Sequence, residues 1–166
     1  IQHREDVRLY LPHALWTINV LLFILLIWWG MFWWSGHENW YAYEYLFITL
    51  YAIVLFFLAS ILYPWDMQGN IDVREHYFNN RLWFFGALFL AWCLDIPETV
   101  IKANADLRPV PQEYFWFVGI QLAIAATGLA TRRHIVHLLL PILWFSLTVY
   151  YVLLSSLGFI TASGQS

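Results

Sequence analysis

Histidines are the residues of this chain whose type and spacing most directly suggest chemistry. His134 and His137 are three residues apart, so they share one face of a helix that also carries Pro141. Pro141 cannot donate to the carbonyl of His137, which leaves that oxygen open to a side chain, water or ligand. Such a pair, with His13 at the same predicted depth, could hold a haem, a quinone or a pigment. The alternative is a buried packing seam, and no carboxylate spacing indicates a metal site.

A second group of polar residues suggests a proton or cation pathway. Asp95 follows Arg81 by about 14 residues, which places it about 20 Å further along a helix and inside the membrane. A carboxylate at that depth is a candidate proton carrier, cation site or salt-bridge partner. Glu44 and Gln121 complete the predicted pathway. The alternative is that Pro97 ends the helix and brings Asp95 to the surface.

Small residues on the fourth apolar stretch predict close helix packing, within the chain or between copies. They recur at the small-xxx-small spacing that lets two helix backbones approach, and they are Gly119, Ala123, Ala126 and Ala130. Gln121 lies on the other side of this helix and needs a hydrogen-bond partner. Asn19 needs one too, and a bond between Asn19 and Gln121 would satisfy both.

The elements that must position these residues are five apolar stretches. Hydrophobic residues make up 61% of the 166 residues and charged residues 11%, far below the charge content of about 25% usual in soluble domains. A span of the hydrocarbon core needs roughly 20 apolar residues. The predicted spans are 10–34, 40–63, 81–101, 111–131 and 134–160. With such short loops we predict an all-α, polytopic transmembrane helix bundle forming a single domain.

The first residues, IQHREDVR, include no initiator Met and no signal-peptide core. We therefore expect that an N-terminal segment is missing, with a further span in it.

Basic residues predict the orientation. Those on one side are Arg4, Arg8, Arg74, Arg81, Arg132 and Arg133, whereas the other side has only Lys102 and Arg108. The positive-inside rule places the first group, and the N-terminus, in the cytoplasm. Arg74, Arg81, Arg132 and Arg133 are predicted to contact lipid headgroups or a partner, with loop anchoring as the alternative. Asp72, followed by Glu75, is the predicted N-cap of the third helix.

Aromatic residues form 20% of the chain and cluster where helices leave the membrane. Tryptophan and tyrosine favour the headgroup level, so anchoring explains most of this belt. Its heavy outer part could also dock a pigment, a quinone or a partner helix.

Two segments carry a resemblance. RLYLPHALW, from Arg8 to Trp16, and REHYFNNRLWFFG, from Arg74 to Gly86, resemble a group of small bacterial multi-span membrane proteins of uncharacterised function. The resemblance implies a bacterial inner-membrane location and a further span ahead of this region. It implies no activity and assigns no functional residue.

These features favour a non-catalytic inner-membrane subunit that packs into a homo-oligomer or a larger membrane complex. The first alternative is a haem-, quinone- or pigment-binding redox protein that uses His13, His134 and His137. The second is a small proton or cation transporter or channel that uses Asp95. We find no phosphate-binding glycine loop and no Ser/His/Asp or Cys/His pattern, so an enzyme is not favoured. A net charge of −3 argues against nucleic-acid binding.

Overall fold

The computed structural model describes residues 10–36, 40–63, 72–105 and 109–163, with side chains described as far as residue 155. The helices are α1 (Leu11–Met31), α2 (Ala42–Ile61), α3 (Val73–Ala105), α4 (Gln112–Ala130) and α5 (His134–Ser163), and a short 3₁₀ turn (Phe32–Gly36) follows α1. The described residues contain no strand. All five helices are long and apolar enough to cross a membrane, which confirms the predicted all-α transmembrane bundle. Arg4, Arg8 and Arg108 lie outside the described residues.

The third helix is longer than its predicted span because a side chain fixes its start. Asp72 Oδ1 accepts the backbone N–H of Arg74 at 2.8 Å and of Glu75 at 3.2 Å, which confirms the predicted N-cap. Helix α3 then continues through Pro97 to Ala105. Its 33 residues extend about 50 Å, against about 30 Å of hydrocarbon core. The alternative in which Pro97 ends the helix was wrong.

Contacts between helix ends show that the five helices run alternately up and down. At one end the starts of α1, α3 and α5 meet the ends of α2 and α4, through bonds such as His76 Nε2 to Ile61 O. We call this the arginine end, defined by Arg74, Arg81, Arg132 and Arg133. At the other end α1, α2, α3 and α4 meet around four acidic residues. We call it the carboxylate end, defined by Glu44, Asp95, Glu98 and Glu113.

Helix α3 occupies the most central position in the bundle. It packs most extensively on α4 and α2 and also touches α1, whereas α5 packs on α1 and α4. Gly128 permits the close approach of α4 to α3, because a Cβ atom there would lie 2.3 Å from the ring of Phe85.

Closely packed aromatic rings fill the bundle between its two ends. Trp16 makes edge-to-face contacts with Phe84, Phe85 and Trp144, at centroid distances of 5.3, 5.4 and 6.3 Å. All four side chains are fully buried. We call these four residues the aromatic layer, and it separates the side chains of the carboxylate end from the histidines of the arginine end.

Candidate functional site

A cavity of about 410 Å³ lies at the carboxylate end, between α1, α3, α4 and α5. This volume is within the range of small-molecule sites. Its floor is formed by buried residues from three helices, Phe23, Trp92 and Thr148. Trp29 and Ser155 also line it and are exposed, so they form its rim. The cavity therefore reaches from the surface of the bundle to its buried interior.

One face of α3 supplies the polar wall of the cavity. Trp92, Asp95, Thr99 and Lys102 are spaced by three or four residues, which places them on one side of a helix. Glu98 lines the cavity from the same helix. The opposite wall is aromatic, because Phe117 of α4 and Tyr151 of α5 stack at 4.2 Å with nearly parallel rings. The cavity thus combines ionisable groups with flat apolar surfaces.

Asp95 is the best-defined polar group of this wall. Tyr51 of α2 donates to its Oδ1 at 3.1 Å, and Tyr114 of α4 donates to its Oδ2 at 2.8 Å. The carboxylate is buried, with 8% of the residue exposed, and it forms no ion pair with the described residues. A carboxylate in an apolar interior costs several kcal/mol unless a charge or hydrogen bonds compensate it. Two neutral phenols position this carboxylate without neutralising it.

Glu98 and Lys102 differ from Asp95 in being paired. They form an ion pair one helical turn apart. Lys102 Nζ also donates to the carbonyl of Gly30 at 2.8 Å, and Trp34 Nε1 donates to Glu98 Oε1 at 3.0 Å. The pair therefore joins α3 to the end of α1, and of the two carboxylates that line the cavity it leaves Asp95 without an ion pair to the described residues.

Close to the cavity floor, two buried polar atoms lack hydrogen-bond partners among the described residues. Gln121 is fully buried, and its Nε2 donates to Thr148 Oγ1 at 3.0 Å. Its Oε1 has no hydrogen-bond partner, and neither has the indole N–H of Trp92. Buried polar atoms without partners are rare in folded proteins, and ordered water or a ligand often satisfies them.

The predicted hydrogen bond between Asn19 and Gln121 was wrong. Asn19 Nδ2 donates to the carbonyl of Pro141 at 2.7 Å, so both amides bond to α5 instead of to each other. Pro141 was expected to leave the carbonyl of His137 free to accept a hydrogen bond from a side chain. Asn19 instead donates to the carbonyl of Pro141 itself.

Glu44 lies apart from the other residues of the predicted pathway. It is buried in the first turn of α2, and its Oε2 accepts the backbone N–H of Tyr41 at 2.9 Å. This bond caps the start of α2. Of the predicted pathway, Asp95 therefore lines the cavity, whereas Gln121 and Glu44 are not among the cavity-lining residues. Gln121 reaches only Thr148, which lines the cavity floor.

The three predicted cofactor histidines bind separate partners. His137 is fully buried: its Nε2–H donates to the carbonyl of Thr131 at 2.8 Å, so its Nδ1 accepts the hydroxyl of Tyr77 at 2.9 Å. His13 Nε2–H donates to the carbonyl of Leu62 at 2.6 Å.

His134 completes the set at the surface of the arginine end. Burial raises the pKa of the Tyr10 phenol, against the opposing influence of Arg74. The Tyr10 hydroxyl and His134 Nδ1 form a hydrogen bond of 2.9 Å. Each of the three histidines joins two chain segments. The structure does not direct them to a common ligand, and the described residues contain no group of three metal-binding side chains.

The four predicted contact arginines divide into two kinds. Arg74, Arg132 and Arg133 are exposed. Arg81 is buried and donates to the carbonyl of Thr131 at the end of α4. Loop anchoring therefore accounts for Arg81, whereas the other three remain available to lipid headgroups.

The small-residue stripe of α4 faces away from the bundle. Its members Gly119, Ala123, Ala126 and Ala130 are all exposed. The face of α4 that packs inside the chain consists of Tyr114, Val118, Gln121, Ile124, Ala125 and Gly128. Packing within the chain therefore does not use the stripe, and only the contact between copies or with a partner remains open to it.

Comparison with known proteins gives no match. No family model fits the chain, and neither a curated protein nor a solved structure is significantly similar to it. The cavity at the carboxylate end must therefore be interpreted from its own geometry.

Proposed function

We propose that this membrane protein binds a small amphiphilic molecule in the cavity at the carboxylate end. The observation that carries the proposal is the buried Asp95 carboxylate in the wall of a cavity of about 410 Å³. Ligand sites are typically concave and mostly apolar, with a few fixed polar groups that orient the ligand. Here Trp29, Phe117 and Tyr151 supply apolar surface, and α3 supplies the polar groups.

The packing of the bundle favours binding over a continuous pathway. A transport route would have to connect Asp95 with the arginine end. The aromatic layer lies between them, and its four side chains are fully buried, with Trp16 in contact with the other three. This arrangement supports a site that is reached from one side over a proton or cation channel.

We further propose that the protein lies in a bacterial inner membrane with its arginine end in the cytoplasm. Four arginines mark this end, whereas Lys102 is the basic residue described at the carboxylate end. The positive-inside rule then turns the cavity toward the outer side, where Trp29 at its rim meets the headgroup region. The ligand would enter from the outer leaflet or from the aqueous phase outside.

Native mass spectrometry of the protein released from its own membrane tests the proposal. We expect a bound small molecule on the wild-type chain. Val152→Trp places a large ring in the cavity, so this variant should lose the adduct. Leu153→Trp is the matched control, because Leu153 is exposed on the same helix, and it should keep the adduct. A folded wild-type chain without any adduct, or an adduct that Val152→Trp retains, would refute the proposal.

A second function, a non-catalytic subunit of a membrane assembly, is favoured by the exposed stripe of α4. Gly119, Ala123, Ala126 and Ala130 leave a smooth lipid-facing strip on which another helix can pack closely. The two functions are compatible, because the stripe and the cavity use different sides of α4. The same mass spectra would report additional copies or other polypeptides.

A further inference from the structure

The charges that line the cavity indicate the class of molecule that it binds, given the amphiphile-binding function proposed above. The wall contains two carboxyl groups, Asp95 and Glu98, and one ammonium group, Lys102. The ion pair between Glu98 and Lys102 leaves the charge of Asp95 uncompensated among the described residues. A bound molecule of positive charge would supply the missing partner.

The hydrogen bonds of Asp95 support a charged ligand over an uncharged one. Both carboxylate oxygens accept from phenol hydroxyls, which is the pattern expected for an ionised carboxylate. Tyr51 and Tyr114 come from two different helices, so the carboxylate is held in place before any ligand arrives. A preorganised anion of this kind binds a cation without the cost of ordering itself.

The aromatic surfaces of the cavity suit the same class of ligand. Trp29, Trp92, Phe117 and Tyr151 line it. The faces of such rings attract cations, most strongly when water is excluded, and they also pack against alkyl chains.

We propose that the cavity binds an organic cation with an apolar body, and that Asp95 is the counter-ion of its ammonium group. Inside the cavity the ammonium lies against Asp95, and the apolar body packs against Trp29 and the stacked rings of Phe117 and Tyr151. Tyr51 and Tyr114 are positioning residues, because they hold the carboxylate.

Equilibrium dialysis with three probes of equal chain length tests this inference. Hexylammonium, hexanol and hexyl sulfate are each measured against the full chain in micelles of an uncharged maltoside detergent. We expect hexylammonium to bind about tenfold more tightly than hexanol, and hexyl sulfate to bind most weakly. Asp95→Asn should remove the preference for the cation, whereas Glu113→Gln, an exposed carboxylate at the same end, should keep it.

The probes separate failure of the inference from failure of the proposed function. Equal binding of hexylammonium and hexanol to the wild type, abolished by Val152→Trp, would refute the cation and leave the amphiphile site in place. Absence of binding by all three probes would count against both. The preference for hexylammonium over hexanol is measured on the wild type first. The inference can therefore be refuted even if the Asp95→Asn variant folds poorly.

Discussion

The buried His137 at the arginine end acts as a fixed hydrogen-bonding bridge. The carbonyl of Thr131 can only accept, so it fixes the proton of His137 on Nε2 and leaves Nδ1 to accept from Tyr77. This imidazole thereby joins α3, the end of α4 and the start of α5. We therefore assign the His137 imidazole a structural role.

Removing the His137 imidazole should destabilise the protein. His137→Ala leaves a cavity and removes the acceptor of the buried Tyr77 hydroxyl, so the free energy of unfolding should fall by about 2–4 kcal/mol, measured by denaturation in detergent micelles. His134→Ala is the control, because this residue is exposed, and it should cost about 1 kcal/mol or less. A haem absorption band in the wild type that His137→Ala abolishes would instead support the cofactor alternative.

Replacing Gly119 or Gly128 of α4 by alanine should change the stability of the protein in different ways. Gly128→Ala would place a Cβ atom too close to the Phe85 ring, so it should lower the free energy of unfolding by about 1–3 kcal/mol. At Gly119 nothing lies within 4 Å of an added Cβ, so Gly119→Ala should be neutral or stabilise by up to about 1 kcal/mol. Thermal unfolding of both variants in the same detergent measures this. Equal effects would contradict the described packing of α4.

The sequence predicted some site residues because their chemistry is unusual for a membrane. Asp95 stood out as a carboxylate at membrane depth, and its burial agrees with that prediction. Tyr51, Tyr114 and Trp92 were not predicted. The chain contains 10 tyrosines and 11 tryptophans, and a phenol that serves a buried carboxylate has the same sequence signal as one that anchors a helix. Only the packing of α2 and α4 against α3 shows which tyrosines reach Asp95.

Helix α4 has one face that packs inside the chain and one exposed face. The inward face contains Gln121 and Ala125, whereas the stripe of Ala123 and its neighbours faces outward. Both faces are apolar, because lipid and protein interior are similar solvents. Hydrophobic periodicity therefore predicts the existence of such a helix and gives little information on which side packs inside the chain. Small-residue spacing identified the outward stripe but missed Gly128 on the inward face.

Substitutions on the two faces should separate folding from assembly. Ala123→Leu should leave the protomer folded and reduce the mass of any assembly, because the larger side chain prevents another helix from packing closely on the exposed stripe. Ala125→Leu should destabilise the protomer by about 1–3 kcal/mol, because Ala125 is fully buried. Size-exclusion chromatography with light scattering and thermal unfolding measure the two effects. An assembly that survives Ala123→Leu unchanged would exclude this stripe as its interface.

At the scale of the whole molecule, the two ends of the bundle have different chemistry. The arginine end is held by histidines and by Arg81, and its exposed arginines suit anionic headgroups. The carboxylate end contains the cavity and Asp95, which forms no ion pair with the part of the chain that the structure describes. Five spans and their alternation were predictable from apolar length and loop shortness. The cavity was not, because it arises where α1 and α5 meet, far apart in sequence.

Cysteine labelling in intact cells should establish which end faces outward. After Cys93→Ser, single cysteines are placed by Glu113→Cys at the carboxylate end and Arg133→Cys at the arginine end, both at exposed positions. We expect a membrane-impermeant maleimide to label the first and to label the second only after lysis. The reverse pattern would turn the cavity toward the cytoplasm.

A cryo-electron microscopy map of the protein purified from its own membrane would show whether the cavity holds a ligand beside Asp95. We expect non-protein density in the cavity between α1, α3, α4 and α5, with a polar head in contact with Asp95 and an apolar body against Phe117 and Tyr151. A map in which side chains close this cavity, or in which Asp95 pairs with a basic residue of the protein itself, would refute ligand binding at this site.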